Sequence, residues 1–251
     1  GVAFDRCTFT RLGGAGLDIE QGSRQCLVTG CRFFDISGSA IQIGDVRKDD
    51  HHPADQRRIV RENTVRNCLI HDCCLEYKGG VGVFVGYTQR TTVANNEIRE
   101  LPYSGISVGW GWGEEDAGGG AYEVQGPFYE RPTVCRDNRI MNNHIHHVMS
   151  ELQDGGAIYT LGNQPGTLIA GNHIHDNRGG PGGIYLDEGS GFIEITGNSV
   201  YRVPTPMNYN NRAQDRIKTC REHDNFFNVQ PPPAQVVEQA GVPSSEAPES
   251  R

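Results

Sequence analysis

The sequence has little of what a compact globule or a membrane protein needs. Apolar residues make up 36% and aromatics 8%, with only two tryptophans in 251 residues. That is thin for one deep core and suits an elongated solenoid, whose core is a narrow column under a large surface. No apolar run approaches the ~18 residues of a membrane helix. Basic residues are outnumbered, 23 Lys and Arg against 31 Asp and Glu, for a formal charge of −8. Phosphate binding needs clustered cations, so nucleic acid is not the expected partner, while a neutral or cationic ligand fits. Helical periodicity is missing beyond about three turns anywhere. No export signal opens the chain either: Gly1 leads straight into strand-like Val2-Ala3-Phe4. A β-helix normally covers its first coil, because an open end is a bare sheet edge. The chain therefore reads as a fragment whose N-terminal coils and any targeting signal lie outside it, from a parent expected to be secreted or periplasmic. Oligomeric state is not legible.

What is plentiful is glycine, 33 residues, and a repeat. One register aligns Arg6-Cys7-Thr8-Phe9, Gly30-Cys31-Arg32-Phe33, Asn67-Cys68-Leu69-Ile70, Asn95-Asn96-Glu97-Ile98, Asn142-Asn143-His144-Ile145, Gly171-Asn172-His173-Ile174 and Gly197-Asn198-Ser199-Val200, with Asp224-Asn225-Phe226-Phe227 a weaker eighth copy. The second position is always Cys or Asn and the fourth always apolar. Three residues before that slot stand Phe4, Val28, Val65, Val93, Ile140, Ile169 and Ile195, and only the last copy, with Glu222, departs. The slots are spaced by 24, 37, 28, 47, 29, 26 and 27 residues, one turn each with two insertions. A second strand recurs inside the turns, from Gly16-Leu17-Asp18-Ile19 to Ala157-Ile158-Tyr159-Thr160 and Gly183-Ile184-Tyr185-Leu186. Period-two alternation with β-branched residues and Gly-rich bends indicates stacked strands.

The fold expected is all-β, a right-handed parallel β-helix over 1–228. Insertions fall near 44–62 and 109–135, both leaving the same strand at the same edge, where solenoids usually build a binding face. A Pro-rich tail follows over 229–251, with a short helix predicted from Gln235 to Ala240. In the shared slot an inward Asn amide bonds the coils above and below, and Cys fills the same space. Cys7, Cys31 and Cys68 thus read as a ladder rather than a disulfide framework, and the remaining cysteines make no zinc pattern.

Three features stand out from the scaffold. Asp154-Gly155-Gly156-Ala157-Ile158-Tyr159 and Gly183-Ile184-Tyr185-Leu186-Asp187-Glu188-Gly189 lie one coil apart around the same strand. Tyr159 and Tyr185 share an outward row with Phe84 and Ser107. Asp154 precedes the strand and Asp187 points out after it, so two carboxyl groups on neighbouring coils can frame a sugar ring and perform acid, base or nucleophilic work. The same residues also suit a plain turn, since Asp at Gly-rich bends binds backbone amides. Trp110 and Trp112, in an exposed Gly-rich loop, have no core to fill and favour the sugar-binding reading. The third feature is histidine: His144 and His146 in one coil, His173 and His175 in the next. Each pair occupies the same two slots, so a stacked ladder accounts for the spacing and no metal is expected; no cofactor is implied.

These motifs, from Asn95-Asn96-Glu97-Ile98 through Pro102-Tyr103-Ser104-Gly105-Ile106-Ser107-Val108-Gly109-Trp110-Gly111-Trp112, then Asp154 to Gly162 and Ile184 to Gly189, resemble bacterial β-helix glycoside hydrolases. The resemblance is to glycoside hydrolase family 141, which has α-L-fucosidase and xylanase members; the β-xylosidases of family 120 are similar in plan. It covers about residues 60 to 245. It implies a carbohydrate substrate and two catalytic carboxyl groups, carried here onto Asp154 and Asp187 with Glu188 as the competing choice. Tyr103, Tyr159, Tyr185, Trp110 and Trp112 would bind the sugar. Asp187, shielded by tyrosines, is expected to be the acid and Asp154 the nucleophile or base. Two other readings stay open: a non-catalytic carbohydrate-binding or adhesion solenoid, and a polysaccharide lyase or epimerase. The last would need a basic group and cations against a uronate, and no outward Lys/Arg row is present.

Overall fold

The computed structural model describes residues 1–119, 129–211 and 213–246. They form a right-handed parallel β-solenoid, and every strand pair is parallel. Three sheets run its length. Sheet A has eight strands, from Ala3–Asp5 to Arg221–His223; sheet B has eight, from Thr8–Leu12 to Phe226–Phe227; sheet C has seven, from Leu17–Ile19 to Thr205–Tyr209. The outward row of sheet C runs in register through Asp18, Gln42, Phe84, Ser107, Tyr159, Tyr185 and Asn208.

The strand Thr205–Tyr209 is a seventh turn of sheet C that the sequence reading missed, because Thr-Pro-Met-Asn-Tyr lacks the Gly-Ile alternation of its predecessors. The first insertion holds a short helix, Lys48–His51, and a strand, Val60–Arg61, that pairs with Thr88–Gln89. A tail helix spans Ala234–Gln239.

The bend between sheets A and B explains the repeat. Its first residue is Arg6, Gly30, Asn67, Asn95, Asn142, Gly171, Gly197 or Asp224, and each has φ between 51° and 66°. Glycine, asparagine and aspartate tolerate that left-handed conformation best. The next residue turns inward. Asn96 N–H donates to Asn143 Oδ1 at 3.1 Å, Asn143 N–H to Asn172 Oδ1 at 2.9 Å, and Asn172 N–H to Asn198 Oδ1 at 3.0 Å. Each side-chain amide also donates to the next, as Asn143 Nδ2 does to Asn172 Oδ1 at 3.0 Å. The buried bend is thereby satisfied with no water. Cys68 takes the same place with its Sγ on backbone carbonyls.

Below the bends lies a single column of fully buried side chains. Val28, Val65, Val93, Ile140, Ile169 and Ile195 line it from sheet A, and Phe33, Ile70, Ile98, Ile145 and Ile174 from sheet B.

Candidate active site

The site grows from two consecutive strands of sheet C, Gly155–Thr160 and Pro181–Leu186. Asp154 sits at the bend before the first, at φ 60°, and is exposed. The glycines after it have a steric reason. A Cβ on Gly155 would fall 2.6 Å from the Tyr103 ring, so only glycine lets that ring lie over the backbone. Tyr103 closes the contact by donating its hydroxyl to the Asp154 carbonyl at 2.7 Å.

Tyr159 and Tyr185 share one slot but meet edge to face, with centroids 5.3 Å apart and planes at 77°. Their hydroxyls therefore leave the row in different directions. Tyr159 donates to Asp187 Oδ2, and Tyr185 donates to Asp154 Oδ1 at 3.1 Å. Asn210, just past the seventh strand, donates to Asp187 Oδ1 at 2.7 Å. Asp187, pointing out after the strand, is only 4% exposed; Tyr159 and Asn210 cover it, while the Tyr185 hydroxyl goes to Asp154. Each Asp187 oxygen accepts from a donor, Oδ2 from Tyr159 and Oδ1 from Asn210. Burial, then hydrogen bonding to Asp187, pushes the Tyr159 phenol far up, and burial with both nearby carboxylates does the same to Tyr185. Both tyrosines stay protonated donors.

Glu188 is half-buried in the turn that follows, where its carbonyl accepts from Gly162 N–H at 3.2 Å. The tyrosine hydroxyls go to Asp154 and Asp187 instead.

The tryptophan loop forms one wall. Trp110 does find something to fill: it packs on a small cluster of Tyr159, Leu161 and Tyr185, against the expectation that neither tryptophan would. Trp112 remains 39% exposed, its ring 5.4 Å from that of Trp110. The loop is anchored by backbone contact, since a Cβ on Gly189 would lie 2.5 Å from Gly113 N. Asp116 secures it further, accepting from Asn163 N–H at 2.9 Å with Arg216 at 3.8 Å. Burial pushes the Asp116 carboxyl up to about 6. Residues 120–128 of the expected second insertion lie outside the described residues.

A cleft of about 430 Å³ opens along sheet C between these walls, lined among others by Gln42, Phe84, Tyr103, Ser107, Trp110 and Tyr159. It brings Tyr103, Tyr159 and both tryptophans to one space. Asn210, Gln42 and Asp45 belong to the site and were missed. Gln42 was legible as a row member, whereas Asn210 follows a strand whose pattern had decayed.

On sheet B, the ring nitrogens of His144, His173 and His175 lie within 4.8 Å of one another, a spacing that a metal ion could use. Ring orientation speaks for the ladder instead. His144 stacks on His173 at 4.7 Å and 9°, and His146 on His175 at 5.1 Å and 4°. A metal takes a lone pair in the plane of each ring, and the parallel His144 and His173 rings do not aim theirs at one point, although His175 is tilted 39° from His144 and 47° from His173.

No helix among the described residues is long and apolar enough to cross a membrane. No curated protein matches the sequence. A solved structure named "Glycoside hydrolase" is similar at 27% identity and a TM-score of 0.76; the match covers 97% of this chain and 39% of that one. This chain thus spans well under half the length of that relative. The family model described as "Right handed beta helix region" matches residues 1–200, and the chain belongs to that family.

Proposed function

We propose that this chain is the catalytic β-helix of a glycoside hydrolase of the family 141 kind, cleaving glycosidic bonds in a plant or microbial polysaccharide. One observation carries the reading: a tyrosine pair on adjacent coils gives one hydroxyl to each of two carboxyl groups, Asp154 and Asp187. The similarity to a solved structure named glycoside hydrolase supports it. A scaffold turn has no use for such a pair, whereas glycosidic cleavage needs two carboxyl groups in different states.

The hydrogen bonds favour roles opposite to those expected from shielding alone. Asp187, accepting at both oxygens, is set as the carboxylate: it stabilises or attacks the electron-poor anomeric carbon, or takes a proton from water. Asp154, exposed and oriented by the Tyr185 hydroxyl, is assigned the acid's part, giving a proton to the leaving oxygen as its bond to the anomeric carbon breaks. Tyr159 and Asn210 keep Asp187 in place. On this reading the protein is exported to meet its glycan.

A panel of aryl glycosides tests the proposal, with this chain and its parent as enzymes. Asp154→Asn and Asp187→Asn should each lower kcat by at least ~10²-fold with the fold retained. Near-normal turnover in either variant removes that residue, and Glu188 is the next to replace. Release of an unsaturated uronate absorbing in the ultraviolet would establish a lyase instead. Binding without turnover by the parent would leave a carbohydrate-binding solenoid.

A further inference from the structure

The cleft runs from Tyr159, whose hydroxyl holds Asp187, toward the N-terminal coils; Asp154 and Asp187 themselves are not on its lining. From Tyr159 the outward row steps through Ser107 and Phe84 to Gln42. Each step is ~4.8 Å, about the length of one glycosyl unit. The row dips at Ser107, a small side chain between two aromatic ones, and the hollow is roofed by Trp110, whose ring meets Phe84 edge to face at 6.0 Å. Its volume, about 430 Å³, falls within the range of small-ligand sites.

The charges along this groove are of one sign. Among the described residues that line it, Asp45 is the only charged one, and it is already held by Arg47. Lys78, beside the Gly79–Val81 rim, is paired with Glu151 at 2.7 Å. A uronate carboxylate entering here would meet the Asp45 carboxylate and no cation on the lining to receive it. Aromatic faces with the hydroxyl of Ser107 and the amide of Gln42 suit C–H surfaces and uncharged hydroxyls.

We infer that this groove is a binding subsite for two to three uncharged glycosyl residues, laid along the solenoid axis from Tyr159 toward Gln42, and that it discriminates against uronic acids. The inference rests on the hydrolase reading only for where the bond is cut; the groove binds its chain whether or not cleavage follows.

The chain's two tryptophans both line the groove, so intrinsic fluorescence reads its occupancy. Asp187→Asn protein is titrated with neutral hexasaccharides of β-xylose, β-glucose and β-mannose, and with hexagalacturonate. At least one neutral probe should give a saturable change in emission that persists in high salt, and hexagalacturonate should give none. Phe84→Ala, three coils from Tyr185, should weaken the neutral probe about tenfold, the loss of one aromatic platform. Ser107→Trp should abolish binding by filling the hollow, with circular dichroism confirming that both variants fold. Equal binding of the uronate, silence with every neutral probe, or indifference to both substitutions overturns the inference. Binding of a hexasaccharide that the wild-type parent never cleaves keeps the groove and removes the hydrolase; turnover of aryl glycosides without any response to the hexasaccharides does the reverse.

Discussion

On the outward face of sheet B, His144 lies flat on His173 and His146 on His175, slot for slot. On the outward face of sheet C, Tyr159 and Tyr185 also share a slot, yet they stand edge to face. The first arrangement spends its polar atoms close to home: His144 Nε2 lies 2.8 Å from His175 Nε2, and His175 Nδ1 lies 2.7 Å from the adjacent Asp176. The second sends its hydroxyls to Asp154 and Asp187, residues that belong to no ladder. Repetition of a slot describes scaffold, and the place where a repeated residue turns out of its row describes chemistry.

The comparison breaks most visibly if equivalent substitutions act alike on the two faces. Tyr159→Phe removes a hydrogen bond to a buried carboxylate and should cut kcat about 10- to 100-fold. His173→Phe, which keeps a stacked ring, should leave turnover within about threefold. A kinetic assay on both variants decides, and equal losses would erase the distinction.

Acid should weaken the histidine face. Burial, then neighbouring imidazoles, pushes His144 down to about 4 and His146 and His173 down to about 3. Because these folded values lie below the unfolded ~6.5, the stability they contribute is present above pH 6.5 and is lost as pH falls toward 4. Between those limits the loss should be on the order of 2–4 kcal/mol, after allowance for coupling and partial exposure. Thermal melts of His144→Phe/His146→Phe against wild type should show a shallower acid slope in the variant. An unchanged slope would mean that these rings already titrate normally.

The face of sheet C carries the opposite sign. Asp116, held at about 6, contributes stability that is complete below its unfolded value of ~3.9 and is lost as pH rises through 6. Its loop carries Trp110 and Trp112, so tryptophan emission should titrate with a midpoint near 6. Asp116→Asn, which still accepts from Asn163 N–H, should abolish that titration and change stability at neutral pH by no more than roughly 3 kcal/mol. A persistent midpoint would assign the signal to another group.

The smallest effect expected is none at all. Dialysis against zinc followed by elemental analysis should find no stoichiometric metal, because the ladder accounts for the rings. One retained equivalent, lost in His144→Ala/His173→Ala, would turn the scaffold face into a ligand set.

The fold was legible because the constraint is one-dimensional. A left-handed residue, an inward Asn or Cys, and an apolar residue two places on recur in all eight copies, and each is demanded by the same bend. The tyrosine row followed from the same count. The sequence could not show that Asn210 from the next coil joins in covering Asp187, nor that the two tyrosine hydroxyls part to different carboxyl groups, a ring orientation that periodicity does not encode. Nor could it show how Trp110 is packed, which depends on two glycine backbones, Gly113 and Gly189, touching across the loop.

The uniform bend has a consequence for how such a protein can change. Every coil enters sheet B through the same conformation and hands its amide to the same neighbour, so a whole coil is an interchangeable cassette. Extra length elsewhere in a turn costs only loop closure, which rises by about 0.6 kcal/mol per doubling of a loop. Deleting or duplicating a coil before the one that carries Tyr103 and the tryptophan loop would leave Asp154 and Asp187 untouched while shortening or lengthening the groove by one strand step of ~4.8 Å. Gene rearrangement in this fold thus edits the length of the groove in discrete increments, as a ruler is cut at its marks.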